Sequence, residues 1–174
     1  DPELIAGQGT SGLEIIEDIP DVDTVVVPLG GGGLLAGVAT AIKETRSSVR
    51  IVAVEPESIQ RYAESRKAGK PVEVPMGATL ADGLMITMTG EHTYPLIDKY
   101  VDEIVPASDE FIRKALMEIV FKSKLLVEPS ASVGVAAALQ GSFKVKPGEK
   151  ICFFLSGGNI DPEKLASFLP RETA

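Results

Sequence analysis

The strongest constraint in this sequence is a segment in which an apolar strand leads directly into glycines and then into an apolar helix. From Val25 to Gly37 it reads Val-Val-Val-Pro-Leu-Gly-Gly-Gly-Gly-Leu-Leu-Ala-Gly. The β-branched residues predict a buried strand, and the apolar residues from Leu34 onward predict a helix. Glycines let a ligand approach the backbone closely, and a helix N-terminus directs unpaired N–H groups and a positive dipole end toward it. The segment therefore predicts a site for an anion such as a phosphate group.

Two common phosphate-binding motifs do not describe this segment. A Walker loop requires Lys followed by Ser or Thr after its last glycine, whereas Leu34 and Leu35 occupy those positions here. The contiguous glycines 30–33 also differ from the spaced G-x-G-x-x-G pattern of dinucleotide-binding proteins. A glycine-rich turn that binds nothing remains the alternative at this point.

A second apolar strand, near the other end of the chain, also ends in glycines. Residues 150–155 read Lys-Ile-Cys-Phe-Phe-Leu and are followed by Ser156, Gly157, Gly158 and Asn159. Such a run is typical of an inner strand of a parallel sheet, which binds ligands beyond the carboxyl ends of its strands. We therefore expect the two glycine-rich segments to face one crevice. Ser156 would either offer its hydroxyl group to a ring nitrogen there or cap the next helix.

Length and composition favour one compact domain that does not bind nucleic acid. The 174 residues are 44% hydrophobic, which is enough to fill a single core. The 17 basic and 25 acidic residues give a net charge of −8, so a nucleic-acid backbone would be repelled. A single cysteine, Cys152, excludes an intrachain disulfide and fits a reducing, cytoplasmic compartment. The single histidine, His92, lies in a polar stretch and is interpreted as a loop residue.

Neither a membrane span nor a signal peptide is predicted. Residues 24–42 are apolar, but Pro28 and the glycines divide them into strand and helix. The chain begins with the acidic stretch Asp-Pro-Glu-Leu and not with methionine. This acidic start lacks the basic and apolar regions of a signal peptide.

Helices and strands alternate along the sequence in the order that builds a parallel sheet covered by helices. The predicted strands are residues 24–28, 50–54, 101–105 and 150–155. The predicted helices are residues 12–18, 34–44, 58–68, 108–122 and 130–139. Residues 69–93 contain several Gly, Pro and Met residues and are predicted to form loops.

Six motifs in this order resemble the C-terminal half of a fold-type II pyridoxal-phosphate enzyme of the threonine dehydratase and serine racemase group. The motifs are Ile-Ala-Gly-Gln-Gly-Thr from Ile5, Gly-Gly-Gly-Gly from Gly30, Ala-Val-Glu-Pro from Ala53, Ala-Asp-Gly from Ala81, Val-Glu-Pro-Ser-Ala from Val127 and Ser-Gly-Gly-Asn from Ser156. The resemblance covers nearly the whole chain. Because its Ala-Gly-Gln-Gly phrase matches a mid-chain phrase of the family and the chain does not begin with methionine, we expect a fragment or an engineered domain. The loop of four glycines followed by an apolar residue resembles the phosphate loop of dehydratases and racemases. It differs from the corresponding loops of cysteine synthases and tryptophan synthase β chains.

The resemblance implies a three-layer, doubly wound, mostly parallel α/β sheet of the tryptophan synthase β-like type. Residues 1–174 would be one domain, the C-terminal part of the large domain that binds pyridoxal 5'-phosphate. The residues implied to bind the phosphate group through their backbone are Gly30, Gly31, Gly32, Gly33 and Leu34. Ser156 is implied to form a hydrogen bond with the pyridine nitrogen.

Three further residues acquire candidate roles from the resemblance. Glu128 matches a carboxylate near the cofactor ring, with a plain helix-entry residue as the alternative. Lys124 and Asn159 match positions that contribute to a nucleotide effector site in some relatives. For these two residues, a surface charge and a turn residue are the alternatives.

Glu55 matches a carboxylate that holds a divalent cation in racemase-like relatives. The aspartate that would be its partner six residues later is replaced by Arg61. A cation requires oxygen ligands, and a guanidinium group would oppose it. A strand-end residue in a salt bridge is therefore the alternative for Glu55.

The phrase that carries the family's Schiff-base lysine, Ser-x-Lys-x-Arg-Gly, does not occur in these 174 residues. We therefore expect the chain alone to be inactive. Joined to an N-terminal half, it would convert the amino acids threonine or serine to a 2-oxo acid and ammonia by β-elimination. A serine racemase and a non-catalytic module that binds a phosphate ligand or a partner are the alternatives. Because a sheet without that half leaves an apolar edge uncovered, we also expect a homo-oligomer or a partner chain.

Overall fold

The computed structural model describes residues 1–169, which form one parallel sheet flanked by helices. The strands are β1 (Thr24–Pro28), β2 (Arg50–Pro56), β3 (Glu103–Ala107) and β4 (Ile151–Phe153). The helices are α1 (Pro2–Asp18), α2 (Gly33–Thr45), α3 (Arg61–Ala68), α4 (Thr93–Tyr100), α5 (Asp109–Glu118), α6 (Pro129–Gln140) and α7 (Pro162–Ser167). A π-helical turn at Ile119–Ser123 extends α5, and a short 3-10 turn covers Asp82–Leu84.

The strand order is β3-β2-β1-β4, and all neighbouring strands are parallel. Thr24 of β1 lies beside Arg50 of β2 on one side and beside Ile151 of β4 on the other. The chain moves outward from β1 to β2 and β3, and then returns to place β4 on the opposite side of β1. The connections thus reverse direction between β1 and β4. Open α/β sheets bind ligands at such a switch point, beyond the carboxyl ends of the strands.

Helices bury the sheet on both faces. In β1, the side chains of Val25 and Val27 share a core with residues of α1, α2 and α4. Val26 points to the other face and shares a core with residues of α5 and α6. All three valines are fully buried. The predicted three-layer, doubly wound, parallel sheet is confirmed.

Helices α1 and α2 approach each other closely through glycines. A Cβ added at Gly12 of α1 would lie 2.8 Å from the carbonyl oxygen of Val38. A Cβ added at Gly37 of α2 would lie 2.8 Å from the backbone nitrogen of Gly9 and would overlap the carbonyl oxygen of Ile5. Interiors are packed closely enough that neither helix has room for even one additional methyl group here.

The prediction for α1 was wrong at its start, because the helix begins at Pro2 and not at residue 12. Asp1 caps it by accepting a hydrogen bond of 2.9 Å from the N–H group of Glu3, and proline is well tolerated at a first helical position. Glycines within this stretch weaken the sequence signal for a helix. Two of them, Gly9 and Gly12, are buried against α2, so tertiary packing outweighs the low propensity.

The other boundaries agree to differing degrees. Strand β1 and helices α2 and α6 match within one residue, β2 continues two residues further, and the π-helical turn brings α5 close to its predicted end. Strand β3 lies two residues later than predicted, β4 is limited to Ile151–Phe153, and α3 starts at Arg61. Helix α4 was missed because it is short and contains Pro95 in its first turn, and α7 was not predicted.

The interpretation of residues 150–155 as an inner strand was wrong for the sheet of residues 1–169, in which β4 is an edge strand. Its residues Ile151, Cys152 and Phe153 are only partly buried, whereas the residues of β1 are fully buried. Burial raises the pKa of the Cys152 thiol above its usual value. The apolar edge agrees with the expected uncovered surface, and the homo-oligomer stays a prediction. Among residues 1–169, every helix is too short or too polar to cross a membrane.

Substitution of Gly37 by alanine should destabilise the protein, because the new methyl group would overlap the backbone of α1. We expect a loss of about 2 kcal/mol in the free energy of unfolding, measured by urea denaturation. Gly7→Ala in α1 is the matched control, since an added Cβ there meets nothing within 4 Å and removes a helical glycine. Equal stabilities of the two variants would show that the close approach of α1 and α2 is not required.

Candidate functional site

The candidate site lies at the carboxyl end of β1, where the chain leaves the sheet and enters α2. The N–H group of Leu29 still donates to the carbonyl of Val54 in β2, at 2.9 Å, and the glycines follow. Gly32 is the N-cap of α2 and has a φ of 88°. A non-glycine residue would be strained in that conformation. In the described part of the chain, no side chain caps the N-terminus of this helix.

The backbone N–H groups of the loop are free for a ligand. Within residues 1–169, the amides of residues 30–34 make no hydrogen bond to another backbone group, and the first bond of the helix runs from the N–H of Ala36 to the carbonyl of Gly32, at 2.8 Å. Unpaired N–H groups at a helix N-terminus bind anions, with help from the helix dipole. The glycines and the start of α2 are thus arranged as the sequence predicted, and anion binding at this segment stays a prediction.

The 3-10 turn and the start of α6 lie beside the glycine loop. A Cβ added at Gly30 would lie 3.2 Å from Cδ2 of Leu84 and 3.4 Å from the carbonyl oxygen of Gly83. The N–H group of Gly83 donates to Oγ of Ser130, at 2.9 Å. This hydrogen bond joins the turn to the first residues of α6. The motifs around Gly30, Gly83 and Ser130, which are far apart in the sequence, thus lie side by side.

Glu128 is the N-cap residue of α6 and lies against the segment that follows β4. Its N–H group donates to the carbonyl of Gly157, at 3.1 Å. A Cβ added at Gly157 would lie 2.8 Å from Oε1 of Glu128, and one added at Gly83 would lie 3.9 Å from the same atom. The half-buried carboxylate therefore lies between two glycines. Glu128 is a helix-entry residue, and its side chain also lies close to the turn at Gly83 and to the exit of β4.

Ser156 is exposed at the exit of β4. Since β4 pairs in parallel with β1, this exit and the glycine loop lie at the same end of the sheet. The expectation that both glycine-rich segments face one crevice agrees with this topology. The next residue, Gly157, contacts Glu128 directly.

Behind the glycine loop lies a buried cluster of polar groups. The sequence indicated only one part of it, the salt bridge that was the alternative role for Glu55. Arg61, fully buried, donates through Nη2 to the carbonyls of Leu29, at 2.5 Å, and of Gly30. Its Nη1 donates to the carbonyl of Ile59, at 3.1 Å, and lies 3.4 Å from Oε1 of Glu55. One guanidinium group thus contacts the loop, the end of β2 and the turn before α3.

Two hydroxyl groups complete this cluster on the next carbonyl. Tyr62 Oη and Thr93 Oγ1 are 2.5 Å apart and lie 3.1 Å and 3.0 Å from the carbonyl oxygen of Gly31. Burial raises the pKa of Tyr62, so its hydroxyl group stays protonated and can donate. A Cβ added at Gly32 would overlap Tyr62 Oη and lie 3.0 Å from Cβ of Thr93.

Glu55 is fully buried at the end of β2 and is held by protein groups. Its two carboxylate oxygens accept hydrogen bonds from the N–H groups of Tyr62, at 3.0 Å, and Ala63, at 3.1 Å. Burial raises the pKa of Glu55, while those N–H groups and Arg61 act in the opposite direction. Burial lowers the pKa of Arg61, because it disfavours the charged form of this group as well. Within residues 1–169, no group of three or more His, Cys, Asp or Glu side chains is placed to hold a metal ion.

Lys124 and Asn159, the candidate effector residues, are exposed and lie on neighbouring loops. Lys124 has a φ of 59° and donates through Nζ to the carbonyl of Phe121, at 2.6 Å. The loop that bears Asn159 touches the other one, since a Cβ added at Gly158 would lie 2.6 Å from the carbonyl oxygen of Leu126. Their role at an effector site stays a prediction.

Sequence reasoning missed the supporting residues of the site. Ser130 and Gly83 lie within quoted motifs, and this was a signal that they belong to it. For Tyr62 and Thr93 no local pattern indicated a contact with the loop, because each reaches it only through the fold.

Comparisons with known proteins agree with this geometry. Residues 1–157 match the family described as "Pyridoxal-phosphate dependent enzyme". The L-threonine ammonia-lyase of Geobacter sulfurreducens is 43% identical over 171 residues, which cover 98% of this chain and 42% of that protein.

Two solved structures have the same fold over nearly the whole chain. The processed form of threonine deaminase isoform 2 from Solanum lycopersicum has a TM-score of 0.90 and 34% identity, and the match covers 97% of this chain and 47% of that one. Maize serine racemase has a TM-score of 0.87 and 40% identity, over 94% of this chain and 50% of that one.

The chain spans about half the length, or less, of the curated relatives that it matches. The match to the family profile extends through the glycine loop, the Asp82–Leu84 turn, the start of α6 and the exit of β4. These are the segments that meet at the crevice. The chain belongs to the family of pyridoxal-phosphate-dependent enzymes and shares the fold of threonine deaminases and serine racemases.

Proposed function

We propose that this chain is the C-terminal part of the cofactor-binding domain of an ammonia-lyase that acts on L-threonine or L-serine. The observation that carries the proposal is the glycine loop at the switch point of the sheet, with free amides on one side and buried donors on the other. The name of the Geobacter sulfurreducens relative supports the reaction, L-threonine to a 2-oxo acid and ammonia.

The residues present fit the phosphate group of pyridoxal 5'-phosphate. The backbone of Gly30, Gly31, Gly32, Gly33 and Leu34 would bind it, because this stretch offers N–H groups at a helix N-terminus without capping side chains. Gly31 is exposed and Gly33 is half-buried, so an anion can reach the loop from solvent.

Ser156 would hold the pyridine nitrogen, and Glu128 would lie near the ring. A hydroxyl group can donate a hydrogen bond to that nitrogen but cannot keep it protonated as a carboxylate would. The cofactor, when bound, withdraws electrons from the substrate's α-carbon. With a neutral partner at the nitrogen this withdrawal is weaker, which favours loss of a β-hydroxyl group over transamination.

A lysine that lies outside these 174 residues would bind the cofactor covalently and accept the α-proton. Among residues 1–169, none of the lysines donates a hydrogen bond to the glycine loop, and Lys164 reaches only its neighbourhood, through a 2.6 Å contact with Asp82. The isolated chain is therefore proposed to be inactive. A homo-oligomer, a cytoplasmic location, the effector role of Lys124 and Asn159, and cation binding by Glu55 rest on the sequence and its resemblance, and stay predictions.

A serine racemase is the second candidate, and the match to maize serine racemase favours it. Both reactions begin with loss of the α-proton from the bound amino acid. They differ in whether the proton is returned to the opposite face or the β-hydroxyl group leaves. The groups that decide this difference contact the substrate, and the phosphate site does not distinguish them.

The proposal is tested by mixing this chain with the lysine-bearing half of the enzyme and adding pyridoxal phosphate. We expect a visible absorbance band of bound cofactor, and release of 2-oxobutanoate from L-threonine, only in the mixture. Formation of D-serine from L-serine without keto acid would favour the racemase. A mixture of folded halves that binds no cofactor would leave the non-catalytic module as the remaining interpretation.

Gly32→Ala should weaken cofactor binding by about tenfold or more, because the methyl group both strains a φ of 88° and overlaps Tyr62 Oη. The measurement is the dissociation constant for pyridoxal phosphate in the complete enzyme. Gly69→Ala is the matched control, since its φ is 67° but an added Cβ meets nothing within 4 Å. Equal affinities of the two variants would contradict a role of the loop in binding.

A further inference from the structure

Arg61 lies on the side of the glycine loop opposite to the free amides. Its guanidinium group is completely buried, at 0% exposure. Its Nη2 contacts the carbonyl oxygens of Leu29 and Gly30, the residues that connect β1 to the remaining glycines. A buried arginine with two donors on successive loop carbonyls restricts how those peptide groups can rotate.

The trans geometry of the peptide groups then determines in which direction the amides point. The described chain contains no cis peptide bond, so each carbonyl and the N–H group of the next residue point to opposite sides of the backbone. Arg61 holds the carbonyls of Leu29 and Gly30 toward the interior. The N–H groups of Gly30 and Gly31 must then face the crevice.

Tyr62 and Thr93 extend the same arrangement by one peptide group. Both hydroxyls lie within hydrogen-bond distance of the carbonyl of Gly31, at 3.1 Å and 3.0 Å. The N–H group of Gly32 is consequently turned toward the crevice as well. Three successive carbonyls are therefore held from behind, and three successive amides remain free in front.

Glu55 keeps Arg61 and Tyr62 in register with the loop. Its carboxylate accepts the N–H groups of Tyr62 and Ala63 at the start of α3, where the side chain of Gln60 provides no cap. The same carboxylate lies 3.4 Å from Nη1 of Arg61. The end of β2 thus fixes the helix that supplies the donors.

We propose that Arg61 is a positioning residue for the phosphate site: its guanidinium group holds the carbonyls of Leu29 and Gly30 inward, so that the loop amides face the phosphate before it binds. Tyr62 and Thr93 do the same for Gly31. This inference rests on the proposed function for its ligand, but it makes a separate statement about the conformation of the loop. Arg61 does not touch the cofactor itself.

The test uses Arg61→Met, Arg61→Lys and Tyr62→Phe in the complete enzyme, with Arg66→Met as the matched control. Arg66 is on the same helix and also donates to backbone carbonyls, those of Ile97, at 2.9 Å, and Val101, at 3.0 Å, away from the loop. Two quantities are measured: the backbone nitrogen-15 order parameters of residues 30–34 without cofactor, and the dissociation constant for pyridoxal phosphate with the phosphorus-31 shift of the bound phosphate.

We expect Arg61→Met to lower the order parameters of the loop amides and to raise the dissociation constant about tenfold, with an altered phosphorus-31 shift. Arg61→Lys should fall between wild type and Arg61→Met, because lysine keeps the charge but lacks the planar fork. Tyr62→Phe, which preserves the packing if the arginine variants do not fold, should show a smaller change of the same kind. Arg66→Met should match wild type in both quantities.

The outcomes separate this inference from the proposed function. If wild type binds pyridoxal phosphate but the Arg61 and Tyr62 variants match Arg66→Met in order parameters and affinity, the positioning role is overturned and the cofactor site stands. If wild type binds no pyridoxal phosphate, the proposed function fails. In that case, lower order parameters confined to the loop in the Arg61 variants still support the positioning role, and unchanged order parameters overturn it.

Discussion

The parallel pairing of β1 with β2 on one side and with β4 on the other is the constraint on which the rest of the site depends. It brings the glycine loop and the exit of β4 to the same end of the sheet, at the point where the connections reverse direction. Helices on both faces bury β1 completely, so the strand end has little freedom. A loop that leaves such a strand starts from a fixed position, which a binding site for a small ligand requires.

Two close backbone contacts then fix the direction of the chain after β1. Gly37 allows α2 to lie directly against α1, and Gly32 allows the turn into α2 to pass beside Tyr62. Neither contact leaves room for a side chain. The absence of side chains therefore serves two purposes in this short segment, access for an anion on the open side and close packing on the buried side.

The buried pair of Glu55 and Arg61 is difficult to explain by stability alone. Removing two charged groups from water costs free energy that their mutual attraction does not always recover. Burial raises the pKa of Glu55 and lowers that of Arg61, so it disfavours the charged form of each group. Both groups, however, make hydrogen bonds to backbone atoms. Arg61 donates to the loop and to the turn before α3, and Glu55, at the end of β2, accepts from the start of α3. The pair connects these segments, which gives it a structural reason beyond the attraction between its charges.

The sequence by itself determined the layers and the location of the site. Periodicity marked β1 and α2, and the glycines between them showed where a ligand can approach, because such local preferences act within a few residues. It did not predict the first part of α1, where glycines weaken the helix signal and close packing against α2 outweighs their low propensity. Only the tertiary structure decided that Arg61, Tyr62 and Thr93 hold the loop carbonyls. Their donors and acceptors are about thirty residues or more apart in the chain, and no local pattern encodes such a contact until the strands have paired.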